Sequence, residues 1–245
     1  MNIAESPRPQ IKPRPQPRHV PLLHNGDQLT RAEFERRYDA MPELKKAELI
    51  EGLVFMGSPV RFTEHAQPHS DLNAWMVFYS IYTPGMKVGD NSSVRLDDLN
   101  EPQSDLCAII MPSHGGRVKI TDGYIEGGPE LVAEISASTV SIDLHKKLNV
   151  YRAHGVQEYI VWRTEEAELD WFVLRGNEYE RLKPDVQGIL KSQVFPGLWL
   201  HESALIDGTM ADVLQIAQDG IRSAEHLEFA ARLAAAAAAA ERKSE

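Results

Sequence analysis

At 245 residues, with 42% hydrophobic and 25% charged side chains, the chain has the composition of a soluble globular protein and the length of one domain with appendages. Its formal net charge of −10 argues against a broad, sequence-blind nucleic-acid binder but leaves room for a local basic face. The single cysteine, Cys107, excludes an intramolecular disulfide, and no apolar run reaches the roughly 18 residues a spanning helix needs, so a cytoplasmic protein with no membrane partner is expected.

Residues 1–26 read as a disordered arm. The first 25 hold six prolines, and Arg8, Lys12, Arg14 and Arg18 face only one acid, Glu5. Proline removes backbone donors and favours extended geometry, so the arm is expected to be flexible, either idle or touching DNA or a partner. Order is expected from Thr30, where Thr30-Arg31-Ala32-Glu33 matches the capping box that closes off free N–H groups at a helix start. Phe34, Tyr38 and Met41 then recur at helical spacing, and a second helical turn or two leads to Glu48–Met56, a strand pair bending at Gly52. Residues 68–81 predict a helix with Leu72, Trp75, Met76 and Tyr79 on one side. A short strand follows at Val94–Leu96, then two apolar strands, Asp105–Met111 and Leu131–Ile135, separated by a Gly/Pro-rich loop or hairpin. A helix over about 141–154, stopped by Gly155, precedes strands at Glu158–Arg163 and Leu169–Leu174. This order describes an α/β core with a mixed sheet flanked by helices, assigned to residues 27–205. Residues 206–245 form a C-terminal helical extension, whose run Ala234–Ala240 favours helix but offers little bulky surface.

Acids stand inside otherwise apolar strand patterns. Alternation puts Asp105, Cys107 and Ile109 on one face, and Val132, Glu134 and Ser136 on one face of the later strand. A buried carboxylate needs a partner, and a hard dication such as magnesium offsets that cost through carboxylate oxygens. The alternative is that each acid sits at a strand end beside a basic group. In the helix after Glu134, the core-facing stripe is read as Leu144, Leu148 and Tyr151. At about 100° per residue, Lys147 falls within roughly 60° of Leu144, bordering the buried face, whereas Lys146 should face water. Asp143 and Tyr151 lie four residues either side of Lys147. His65 and His69 are also four apart, a zinc-compatible spacing on one helix, but Pro68 between them argues against an unbroken helix. Ser136 lies in no nucleophile-elbow pattern.

Together these motifs resemble the Uma-two family of restriction endonucleases, within the PD-(D/E)xK nuclease superfamily. The matching pieces are Glu48-Leu49-Ile50-Glu51-Gly52, Ser104-Asp105-Leu106, Pro129 to Ser136, Asp143-x-x-x-Lys147-x-x-x-Tyr151, Gly155 to Val161 and Phe195-Pro196-Gly197-Leu198, over about residues 30–205. The resemblance implies a restriction-endonuclease-like core. It makes Asp105, Glu134 and the Ile135 carbonyl ligands of magnesium or manganese, Glu51 an additional acid and Lys147 the catalytic lysine. It also implies DNA as substrate, a homodimer, and a role near the phosphate for His69, with Ser136 a further substrate-side candidate. Two departures stand out: Ser104 replaces the proline before Asp105, and Ser136 occupies the usual lysine position two after Glu134. The expected function is thus metal-dependent hydrolysis of DNA phosphodiester bonds. The alternatives are an inactive nuclease-fold module that binds DNA or protein, and a hydrolase of another phosphodiester such as RNA.

Overall fold

The computed structural model describes residues 20–57, 59–137 and 139–244, so the expected arm lies outside the described residues as far as residue 19. Its last residues are already docked: Leu23 is buried, and Gly26 N–H donates to the Val54 carbonyl. Order therefore starts earlier than Thr30. Helix α1 (Arg31–Tyr38) begins there, but the Thr30 side chain makes no capping bond. The Asp98 carbonyl accepts from Arg31 N–H instead, and Glu33 pairs with Arg36 and Arg37, so the box is present in sequence and unused in structure.

Strands β1 (Ala47–Ile50) and β2 (Leu53–Met56) form a hairpin, and between α1 and β1 the chain makes only single turns, closed by Met41 N–H to the Tyr38 carbonyl and Leu44 N–H to the Met41 carbonyl, and no second helix. Its two-residue turn is Glu51-Gly52, both at positive φ (53° and 77°), the mirror-image turn that matches strand twist. Backbone bonds between Leu49 and Glu101 fasten β1 beside the start of the main sheet. A turn of π-helix over Phe62–Ala66 runs straight into α2 (Gln67–Ile81), so the helix is continuous through Pro68, contrary to expectation. Pro68 sits in the first turn of α2, where the wide preceding turn leaves its missing N–H unneeded.

The main sheet has eight strands: β3 (Met86–Arg95), β4 (Gln103–Ile110), β5 (Lys119–Thr121), β6 (Tyr124–Glu126), β7 (Leu131–Ser136), β8 (Glu158–Arg163), β9 (Glu168–Arg175) and β10 (Glu178–Arg181). They lie in the order β10-β9-β8-β7-β4-β3-β6-β5, with β7–β8 and β3–β6 parallel and the other pairs antiparallel. A mixed α/β sheet is thus what the sequence led one to expect. Helix α2 covers one face through Leu72, Trp75, Met76 and Tyr79, which pack with Leu106, Ala108, Ala133 and Ile135. On the other face Cys107, Ile109, Val132 and Val161 pack with Tyr151 and Tyr159. That second face is covered by a π-turn, Ile142–Lys147, continued by α3 (Leu148–Ala153).

A small hairpin of β11 (Ile189–Lys191) and β12 (Trp199–His201) leads to α4 (Glu202–Ile206), α5 (Met210–Ile221) and α6 (Ala224–Ser244). The expected extension is integral to the core: Val213, Ala217, Ile221, Phe229 and Leu233 share the cluster that α2 builds. Gly197, at φ 86°, and Gly220 touch backbone to backbone, and a Cβ on Gly220 would lie 2.1 Å from the Gly197 carbonyl oxygen. Only glycine at both places lets α5 approach the Phe195–Leu198 turn this closely. Trp75 Nε1–H donates to the Trp199 carbonyl and Tyr79 O–H to the Pro196 carbonyl, which fixes α2 to the same turn.

Glu158 at the start of β8 joins this region to the sheet. Burial pushes its carboxyl from an ordinary 4.5 up to about 7, although Ser192 Oγ–H and the N–H groups of Gln193 and Val194 donate to it. The folded state therefore holds a proton that the unfolded state has released between about pH 4.5 and 7. The stability from this group is full below that window and lost as pH rises through it. Glu158→Gln, which does not titrate, is expected to give a shallower fall of Tm from pH 5 to pH 8 than wild type; an equal or steeper fall would refute the assignment.

Candidate active site

The register of β4 and β7 brings the two strand acids together. The antiparallel ladder runs Ala108–Leu131, Cys107–Val132, Leu106–Ala133, and one further step places Asp105 opposite Glu134. There side chains take over from the backbone ladder. Ile135 N–H donates to Asp105 Oδ2 at 2.8 Å, and Asp105 N–H reaches Glu134 Oε2 at 3.4 Å. Asp105 and Glu134 are 3% and 2% exposed, so neither carboxylate is solvated by bulk water and each requires a charged partner.

Lys147 is one such partner. Its Nζ stands 2.9 Å from Glu48 Oε2, 3.1 Å from Glu134 Oε1 and 3.7 Å from Asp143 Oδ1. The expected inward orientation of Lys147 holds, but the helix stripe is displaced. Asp143, Lys147, Val150 and Tyr151 are buried, while Leu144 and Leu148 are only half-buried. The π-turn is the cause, because its extra residue per turn stacks positions four apart almost directly over one another. Tyr151 O–H also donates to Glu134 Oε1 at 3.0 Å, so that oxygen is clamped from two sides. Thr139 Oγ1–H donates to Asp143 Oδ2 at 2.5 Å, and Ser136 Oγ lies 3.3 Å from Thr139 Oγ1. Ser136 is fully buried and belongs to the support behind Asp143, not to the open side of the site.

Glu51 is not brought into this cluster. The hairpin turn points it outwards, where it is about half exposed and pairs with Lys146 at 2.7 Å. Glu48, three residues earlier on β1, takes the place expected of it: Oε2 accepts from Lys147 and from Gln103 N–H at 3.1 Å. Two other residues were not singled out for this site by sequence. Lys46 Nζ lies 2.8 Å from Asp105 Oδ1. His65 places Nδ1 3.1 Å from the Ile135 carbonyl oxygen and Nε2 3.7 Å from Asp105 Oδ1. His69 stacks on His65, with ring centroids 5.9 Å apart, and its Nε2 lies 3.1 Å from the Asp105 carbonyl oxygen and 3.2 Å from Asp90 Oδ1. The histidine spacing was thus the available signal, masked by the proline between them.

Charge divides the cluster. Burial would raise the Asp105 carboxyl, but Lys46, His65 and Lys147 more than offset it and hold the group below its ordinary value. Burial raises Glu134 to about 8, with Lys147 opposing and Asp105, Asp143 and Glu48 reinforcing the shift. Burial alone would lower Lys147, yet Glu134, Glu48 and Asp143 keep the ammonium well above its usual range. Lys147 is therefore a fixed positive charge at the bottom of the cluster.

Among the described residues no three His, Cys, Asp or Glu side chains are gathered at metal-binding spacing. The chemistry of the oxygens nevertheless suits a hard dication: Asp105 Oδ1 and the Ile135 carbonyl are both turned towards cationic or N–H groups, and Lys46 Nζ sits on the carboxylate as a stand-in cation.

A family model described as "Uma2: Putative restriction endonuclease" matches residues 31–204. Among solved structures, the chain is similar to "a putative nuclease belonging to DUF820" from Anabaena variabilis ATCC 29413, with 13% sequence identity and a TM-score of 0.48, over 74% of this chain and 97% of that one. The comparison with curated proteins gives no match.

Proposed function

Because the chain belongs to the Uma2 family, described as restriction endonucleases, we propose that it hydrolyses DNA phosphodiester bonds with magnesium or manganese at the Asp105–Glu134 pole. The observation that carries this reading is a buried pair of acids at the facing ends of β4 and β7, with a cation-accepting carbonyl, Ile135, beside them. Asp105, Glu134 and that carbonyl would hold the ion, and Glu48 replaces Glu51 as the additional acid. A bound dication supplies Lewis-acid polarisation of a phosphate oxygen and a water of lowered pKa.

The chain's own groups do the rest. Lys147 and Tyr151 hold Glu134 Oε1 in one orientation, and Gln103 N–H with Lys147 holds Glu48. Lys147 offsets the acids' mutual repulsion and tolerates extra negative charge nearby, the electrostatic work that a developing phosphorane requires. His69, between the Asp105 carbonyl and Asp90, lines the side from which a phosphate would approach. With a net charge of −10, attraction for DNA must be local, and Lys46 and Lys147 are the ammonium groups gathered at this pole.

Supercoiled plasmid incubated with magnesium or manganese is expected to be nicked, EDTA is expected to stop it, and Asp105→Asn to slow it by at least about a thousandfold, roughly 4 kcal/mol of barrier. Equal rates for wild type and Asp105→Asn would refute the mechanism. An RNA substrate in parallel separates DNA from other phosphodiesters. DNA binding without turnover, and without a manganese-induced rise in Tm, would favour the binding-module alternative.

A further inference from the structure

The two atoms best placed to grip a dication on the open side of the pole are already occupied by nitrogens of the chain itself. Asp105 Oδ2 accepts from Ile135 N–H at 2.8 Å, so Oδ1 is the oxygen left for other partners. Lys46 Nζ stands on that oxygen at 2.8 Å, and His65 Nε2 is 3.7 Å from it. The Ile135 carbonyl, in turn, faces His65 Nδ1 at 3.1 Å. Lys46 precedes β1 and His65 lies in the π-turn before α2, so two separate elements converge on one seat.

The two lysines of the cluster differ in what holds them. Lys147 is enclosed by three carboxylates and its side chain is 4% exposed. The Lys46 side chain is 30% exposed, and its one ion pair among the described residues is with Asp105. An ammonium held by one buried oxygen on a flexible, partly solvated stem can leave; one held by three cannot without exposing all of them. Even on separate lone pairs of Oδ1, an ammonium and a magnesium ion would stand only about 4 Å apart, with like charges and little water between them.

We propose that Lys46 is a tethered counter-ion that competes with the divalent cation for Asp105, so that metal binding is an exchange in which the Lys46 ammonium leaves Oδ1 for solvent. This rests on the metal reading given above. Among the described residues no three His, Cys, Asp or Glu side chains stand at metal-binding spacing, and each acid of the pair is drawn onto a lysine: Asp105 onto Lys46 and Glu134 onto Lys147. The exchange makes the lysine's positive charge, and not its size, the quantity that weakens metal binding.

The test is manganese affinity by isothermal titration, at fixed pH and salt, for the full chain and for Lys46→Met, Lys46→Gln and Lys46→Arg. Lys46→Met and Lys46→Gln are expected to bind manganese about tenfold more tightly than wild type, roughly 1.4 kcal/mol, and Lys46→Arg to stay within about twofold of wild type. Two neutral variants guard against one that fails to fold, which circular dichroism would show. Unchanged or weaker binding by the folded neutral variants would overturn the exchange and leave the metal reading standing, as would Lys46→Arg binding as tightly as Lys46→Met. Binding by none of the proteins, wild type included, would overturn both, and Asp105→Asn as the control identifies the site that is being titrated.

Discussion

Lys147→Met is expected to lower the unfolding free energy by about 3–5 kcal/mol, the usual result of removing one partner from a buried ionic cluster. The methionine fills nearly the same volume, so the loss is electrostatic: Glu48, Glu134 and Asp143 would share a buried region without the ammonium that stands 2.9, 3.1 and 3.7 Å from them. The deficit should depend on pH. Glu134 already holds its proton up to about pH 8 against an ordinary 4.5, and losing Lys147 removes the charge that pulls this value down. The folded variant therefore binds more protons than its unfolded chain across that window, so its stability falls as pH rises. Urea unfolding at pH 6 and pH 8.5 should show the larger deficit at pH 8.5. A loss below about 1 kcal/mol at both pH values, the range of a surface pair, would mean that Lys147 does not hold the cluster together.

Glu134→Gln is the complementary experiment, with a small effect on folding and a large one on chemistry. Because burial favours the protonated carboxyl, a neutral amide of the same shape costs little; the change in stability is expected to stay within about 1 kcal/mol, with Lys147 retaining Glu48 and Asp143. Metal-dependent cleavage is expected to fall by at least about a thousandfold, since the amide removes a formal charge from the proposed ion site. Manganese at a hundred times its wild-type Kd should raise wild-type stability by about 2.7 kcal/mol and the variant's by far less. A variant that still cleaves and is still stabilised by manganese would remove Glu134 from the site.

The strands that build the pole were legible because each is a short apolar run carrying one acid; alternation gives the face of each acid, and the β4–β7 register sets Asp105 opposite Glu134. Lys147 was legible from helical geometry, for a partly different reason than the real one: the π-turn, which no simple periodicity reports, sets the buried face at Asp143, Lys147 and Tyr151. Glu51 was misread for a definable cause. Glu51-Gly52 fits a two-residue hairpin turn between Glu48-Leu49-Ile50 and Leu53-Val54-Phe55, and reading it so would have left Glu48 as the inward acid. Lys46 carried no local signal, because its partner is 59 residues away. Strand β3 was read as far too short because Lys87, Gly89 and Asp90 look like loop, and only pairing with β4 makes them strand. The C-terminal helix was underestimated because its alanines hid the anchors Phe229 and Leu233.

The wide turn at Ile142–Lys147 bears on how an ammonium reaches Glu134. A ladder position two beyond an acid and a helix position thirteen beyond it are distant in sequence, yet here the latter delivers its ammonium to the same carboxylate. One inserted residue in a helix rotates the side chains beyond it by about 100°, which is enough to decide whether Lys147 meets Glu134 or turns away from it. Deleting a residue from that turn would rotate α3 and the Lys147 ammonium relative to β7, leaving Glu134 with Tyr151 and Lys147 no longer both on its Oε1.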